Sequence, residues 1–185
     1  MKQRGGRPAV LSLDRILAAA VEVVDAEGTE ALTMRRLGAQ LGVAPMSLYR
    51  HVPNHDALLA AVVNRLFSEV ELTLGQSWPE TLYGFAAAYR RMLLAHPGAV
   101  PLLATHPVDL EIGLQLVSGL LDQFAATGVA QEEAITVVQS VGVYVLGHAL
   151  AQVGPHEPTP PAEFYDTWFD AGLRAMITGF SAVHR

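Results

Sequence analysis

Apolar residues recur every three or four positions through most of this chain, and polar breaks divide the pattern into segments of helix length. Leu13, Ile16, Leu17, Ala20, Val21 and Val24 form one stripe. Ser12 is placed to cap it, Asp14 suits its positive N-terminal end, and Gly28 stops it. In the next helix Thr33 is the cap, and Leu37 and Leu41 share one face. Gly42 supplies a tight turn, and Pro45 fits the first turn of a further helix, where a missing N–H costs nothing. Leu48 faces back to the core.

Beyond residue 54 the same period continues. Asn54 or Asp56 starts a helix through Leu58, Leu59, Val62, Val63, Leu66, Phe67 and Val70. Ser77-Trp78-Pro79-Glu80 has the capping-box pattern and opens a helix to about Ala95. HPGAVP breaks it, and a short turn follows at Leu102–Thr105. Pro107 opens a helix to Ala126, Gln131 to about Val153 is another, and Ala162 to Ala182 is the last. Nothing alternates at period two over a strand's length, so the fold class is all-α.

The segment Thr33–Val52 carries the most specific chemistry. Its buried leucines leave Met46, Ser47, Tyr49, Arg50 and His51 for an outer surface. Helix, glycine turn and helix with a polar, basic outer face is a way of placing side chains in the DNA major groove. A solvated helical hairpin has the same pattern, and the flanks separate the two readings. The upstream helix completes a three-helix unit, and MKQRGGRP before it is a flexible arm. There Lys2, Arg4 and Arg7 suit a phosphate backbone or minor groove.

Charge agrees in distribution rather than in total. The formal net charge is −6, which excludes a protein that coats DNA uniformly. Residues 1–56 hold seven basic and six acidic side chains, and the remainder holds five and twelve. With no cysteine, disulfides and thiolate metal sites are absent. The chain opens on no signal-peptide pattern, and charges, Gly or Pro interrupt each apolar run before membrane length, an expectation that fits the bacterial cytoplasm.

The stretches ILAAAVEVVDAEG, LTMRRLGAQLGV and SLYRHVPNHDALL resemble the DNA-binding domain of the TetR (tetracycline-repressor) family of bacterial transcription regulators. The likeness runs without a gap from Leu11 to about Phe67. YRRMLLAHPGAVPLLATHP, the Gly128 helix stop and VGVYVLG resemble, more loosely, the tetracycline-repressor type of C-terminal domain. The resemblance implies a homodimeric, ligand-responsive repressor of palindromic double-stranded operator DNA. Its domains would be a basic arm at 1–10, a helix-turn-helix domain at 11–56 and a larger ligand-binding and dimerisation domain at 57–185. Residues 57–74 would be the connecting helix.

By that resemblance Arg35, Met46, Ser47 and His51 lie nearest base edges, with Pro45 and Arg50 beside them. Thr33, Tyr49 and His55, which opens the next helix, hold phosphates. The helices at about 131–153 and 162–182 would form a four-helix interface with those of a second copy. Both are apolar on two sides: Ile135, Val137, Val138, Val141, Tyr144 and Val145 on one, Phe164, Trp168, Leu173, Met176, Ile177 and Phe180 on the other.

A ligand pocket is expected among the central helices, from Phe85, Tyr89, Met92, Leu93, Leu102, Leu103, Leu116, Leu120, Tyr144 and His148. Such a lining suits a small apolar or aromatic effector. His148 either has a buried partner or meets that ligand. Where the tetracycline repressor binds magnesium, alignment puts Leu102 and Ala151 here. Neither is an oxygen or imidazole ligand, so neither metal nor cofactor is expected. No HExxH, GxSxG or P-loop occurs, so the chain is not expected to be an enzyme. The alternative is a helical small-molecule-binding or enzymatic domain without a DNA function.

Overall fold

Ser12 turns an extended backbone into the first helix, α1 (Leu13–Glu27), its hydroxyl accepting the Arg15 N–H at 3.3 Å. The computed structural model describes residues 11–155 and 158–183, so the basic arm at 1–10 lies outside the described residues. Thr33 caps α2 (Met34–Leu41) by accepting the Arg36 N–H at 3.1 Å. Gly42 then sits at φ 68°, the left-handed conformation that closes this helix. Pro45 is the first residue of the short α3 (Pro45–Leu48). Asn54 caps α4 (His55–Phe67), accepting the Ala57 N–H at 2.8 Å.

The remaining helices are α5 (Trp78–Ala95), α6 (Val100–Thr105), α7 (Leu110–Ala126), α8 (Gln131–Val153) and α9 (Ala162–Val183). No strand occurs among the described residues. Two of these boundaries and one cap differ from the sequence reading. Helix α4 ends at Phe67, with Val70 buried in the turn beyond it. Helix α7 starts at Leu110, because the Asp109 carboxylate caps the Glu111 and Ile112 N–H groups at 2.9 and 3.3 Å. At the start of α5 the Ser77 hydroxyl makes no capping bond. Instead Glu80 accepts the Gln76 N–H at 2.9 Å, and Thr81 accepts that of Gly75 at 2.8 Å.

Helices α1–α3 pack around Ile16, Leu32, Leu37 and Leu48, all sealed from solvent. Each such side chain contributes about 1.5–3 kcal/mol of burial. Leu13 lies outside this stripe, exposed on the first turn, and Ala19 and Val23 take the inner face with Val24. The three-helix unit is joined to the larger one at two places. Helix α4 runs between them. The 3₁₀ turn Pro97–Ala99 presses against the end of α1, where a Cβ on Gly98 would collide with the Val24 carbonyl. His96 completes this joint: Nδ1 is 2.8 Å from Asp25 and Nε2 is 3.2 Å from Glu69.

Helix α8 forms the centre of the larger unit, packed on α5, α6, α7 and α9. It is long and apolar enough by composition to cross a membrane, which corrects the expectation that every apolar run is interrupted. Val137, Val138, Val141, Val145 and Ala149 face inward. Val141 and Val145, two of the apolar positions named for this helix, therefore belong to the core of their own subunit. So do Leu173 and Ile177 of α9. The outward face carries Val143, Gly147 and Leu150 on α8, and Phe164, Trp168, Ala171 and Ala175 on α9. Arg90 of α5 ties the two long helices together: it donates to Gln152 and Asp166, both at 2.8 Å, and covers the Phe169 ring at 4.7 Å.

Candidate nucleic-acid interface and ligand cavity

The turn between α2 and α3 decides which side chains are left outside. Val43 N–H bonds the Gly38 carbonyl at 2.9 Å, folding the chain back onto α2. Leu37 and Leu48 are then buried, and Arg35, Met46, Tyr49, Arg50 and His51 stand in solvent, with Ser47 half-buried. Met46 is 72% exposed and Tyr49 42%, values that a core-packing role would not leave. Thr33 and Pro45 are exposed at the starts of their helices.

The two neighbouring arginines of α2 differ. Arg36 is engaged by Glu27, through Nε at 3.0 Å, and by Gln40 at 3.0 Å. That pairing lowers the Glu27 carboxyl below its ordinary value, chiefly through the hydrogen bond from Arg36. Arg36 serves the packing of α2 on α1, and Arg35 keeps its guanidinium for a partner. His55 is less open than the sequence reading placed it. Its Nε2 lies 2.6 Å from the Leu32 carbonyl, to which Nε2–H donates. That leaves Nδ1, which in a neutral ring is an acceptor and has no proton to give a phosphate.

A cavity of about 450 Å³ opens among α4, α5, α7 and α8. Phe67, Phe85, Tyr89, Val117, Val138 and Leu146 form its apolar walls, and Asp109, Leu110, Gln139 and Val143 also line it. Leu110 and Val143 are 72% and 71% exposed, so they mark its mouth. Phe85 and Tyr89 are therefore the sequence-named pocket residues that line it. Met92, Leu93, Leu102, Leu103 and Leu120 are buried in the core away from this lining, and Leu116 is half-buried beside it.

Tyr144 and His148 turn instead towards α9. The Tyr144 hydroxyl donates to the Phe169 carbonyl at 2.9 Å. His148 sits among Tyr144, Tyr165, Trp168 and Phe169, with ring centroids 4.6–6.1 Å away. Burial first, and then the nearby Arg90 charge, hold its pKa below the ordinary 6.5, so the ring is neutral.

The residues that sequence reasoning missed lie mostly on α7 and the inner side of α8: Gly113, Leu114, Val117, Ile135, Val138 and Gly142. The two glycines carry a readable signal. Each interrupts a helix, and a Cβ on either would meet nothing within 4 Å. Among the described residues no group of three or more His, Cys, Asp or Glu is placed to hold a metal ion.

Comparison with known proteins places both halves. Residues 16–62 match the model of "Bacterial regulatory proteins, tetR family", and residues 73–163 that of "Tetracyclin repressor-like, C-terminal domain". An HTH-type transcriptional regulator of Saccharopolyspora erythraea is 34% identical over 82% of this chain and 64% of its own length. The HTH-type transcriptional repressor DrrR1 of Streptomyces coeruleorubidus is 32% identical over 83% of this chain and 58% of its own length. The chain thus spans less than two thirds of both proteins.

Among solved structures, Streptomyces coelicolor ActR in complex with actinorhodin superposes with a TM-score of 0.82 at 27% identity, covering 94% of this chain and 97% of ActR. BioQ with its double-stranded DNA operator gives 0.75 at 26% identity, covering 94% and 99%. These relatives are regulators rather than enzymes, which removes the enzymatic alternative. With a capped helix-turn-helix head, a cavity-bearing helical body and both segments matched to one family, the chain belongs to the TetR family of bacterial regulatory proteins.

Proposed function

We propose that the chain is a transcriptional repressor that binds a near-palindromic operator as a homodimer and leaves it when a small apolar or aromatic molecule fills the cavity. The observation that carries this reading is the outer face of α2 and α3. Arg35, Met46, Tyr49, Arg50 and His51 stand free on a head whose leucines are fully buried. Base edges are read by Arg35, Met46, Ser47 and His51, flanked by Pro45 and Arg50, and phosphates are held by Thr33 and Tyr49, with His55 beside them at the start of α4. Residues 11–56 are the reading head and 57–185 the regulatory body. The work belongs in the cytoplasm, where the DNA is.

The dimer is supported by the outward face of α8 and α9. Val143, Leu150, Phe164 and Trp168 are between 36% and 71% exposed on one subunit, and a second copy covers them in a four-helix interface. Ligand control is supported by the bond between units. Helix α4 ends with Phe67 in the cavity wall and begins with His55 at the head. A ligand that fits one tilt of α4 better shifts the population by its differential affinity. The test is a gel shift with DNA flanking the chain's own gene, with and without a panel of aromatic compounds. Specific retardation that one compound relieves supports the reading. No retardation on any flanking DNA overturns it.

A further inference from the structure

Tyr89 is buried to 6% exposure in the cavity wall, and it has no hydrogen-bond partner among the described residues. Burial alone pushes its pKa up to about 12, so the phenol keeps its proton and offers an O–H donor. Its oxygen is not fully enclosed, so the O–H opens on the apolar cavity and is available to a ligand acceptor there. The surroundings define the rest of that ligand. The Phe85 ring lies nearly parallel to Tyr89, at 21° with centroids 6.0 Å apart, and the Phe67 ring meets Tyr89 edge-on at 5.5 Å. These rings make one apolar wall against which a flat aromatic molecule stacks.

Charge in the lining is confined to Asp109. Its carboxylate is exposed and already caps α7 beside the exposed Leu110. It therefore meets the outer end of a ligand and repels an anion, while no counter-ion waits at the inner end. We propose that Tyr89 selects the ligand, and that the ligand is a flat aromatic molecule, uncharged at its inner end, with a carbonyl oxygen there to accept from the Tyr89 hydroxyl. This inference rests on the cavity being the effector site, and it adds the chemical class and the selecting group.

The test uses matched tricyclic probes, 9-fluorenone and fluorene, which differ by that carbonyl, with fluorene-9-carboxylate as the anion. Equilibrium dialysis against the full chain, without DNA, gives each affinity. Fluorenone is expected to bind roughly tenfold more tightly than fluorene, the scale of one buried hydrogen bond. The carboxylate is expected to bind least. Tyr89→Phe keeps the ring and should bring fluorenone down to the fluorene value, with fluorene itself unchanged. Gly113→Leu, which fills the cavity, should abolish both.

Equal affinities for the two tricycles in the wild-type chain overturn the inference. So does binding of neither, or a carbonyl preference that survives Tyr89→Phe. A chain that retards its operator yet binds neither tricycle contradicts this inference and leaves the repressor reading standing. A carbonyl preference lost with Tyr89→Phe, in a chain that retards no DNA, does the reverse.

Discussion

Arg35 and Arg36 are neighbours in sequence with different surroundings: Arg35 is exposed and Arg36 is bonded to Glu27 and Gln40. Arg36 is consumed by Glu27 and Gln40, so its loss should loosen α2 on α1. Arg35→Ala should instead leave stability unchanged and relax preference at one base pair, by about 1–3 kcal/mol. Tyr49→Ala should weaken binding to all sequences alike, as a phosphate contact does. Titration of specific and random duplexes checks both, and equal weakening of the two duplexes by Arg35→Ala would contradict base reading.

His148 allows a second residue-scale prediction. Its folded pKa lies below the ordinary 6.5 because the ring is buried near Arg90. Below that pH the unfolded chain takes up a proton that the folded chain resists, so stability falls as pH drops through 6.5 and is regained above it. His148→Gln should flatten this slope in thermal melts taken between about pH 5 and 7. A variant with the wild-type slope would show that His148 is not its source. The exposed positions of α2 and α3 are legible in sequence because period and caps fix which face of a short helix is buried. The cavity residues are not, apart from Phe85 and Tyr89. Whether a leucine on a helix faces a void or a neighbouring leucine depends on helix placement, which periodicity does not encode.

At the scale of elements, α8 is legible to its ends, because Gln131 follows a stop at Gly128 and apolar residues then recur at helical spacing up to Gly154. Helix α7 was misjudged at its start because Pro107 and Asp109 are both good openers. The carboxylate prevails, satisfying two N–H groups where proline only omits one. The apolar period of α8 and α9 runs over more than one face, and periodicity alone does not say which face turns inward. Val145 belongs inside and Val143 outside.

Glycine in α7 gives the element-scale test. Gly113 interrupts the helix, and a Cβ there meets open space. Gly113→Ala should raise stability by roughly 0.5–1 kcal/mol through helix propensity alone. It should also narrow the cavity and weaken ligand response. Chemical denaturation measures the first effect, and a destabilised variant would mean that the cavity wall at α7 has no room.

At the scale of the whole molecule, the three-helix head and the body meet through α4 and through the His96 joint, and in the proposed dimer these joints would carry a change in the body to the heads. Trp168→Glu and Val143→Glu place charge on a face exposed in a single subunit, so each chain should still fold. Sedimentation should show both variants shifted from dimer to monomer, and operator affinity should fall with the loss of the second head. An unchanged dimer in both would move the interface elsewhere. Coupling between cavity and operator must be reciprocal. If a bound effector costs the operator complex about 3 kcal/mol, operator DNA weakens that effector by the same factor, over a hundredfold.

How the protein lies along DNA is the most direct consequence of a two-headed repressor. Hydroxyl-radical footprinting on the DNA flanking its own gene reads this out at each sugar. The expected result is two matching protected patches on one face of the duplex, centred about 34 Å or a multiple of that spacing apart. Both patches should fade together as an effector is added. A single patch, uniform protection along the fragment, or none would contradict a two-headed, operator-reading repressor.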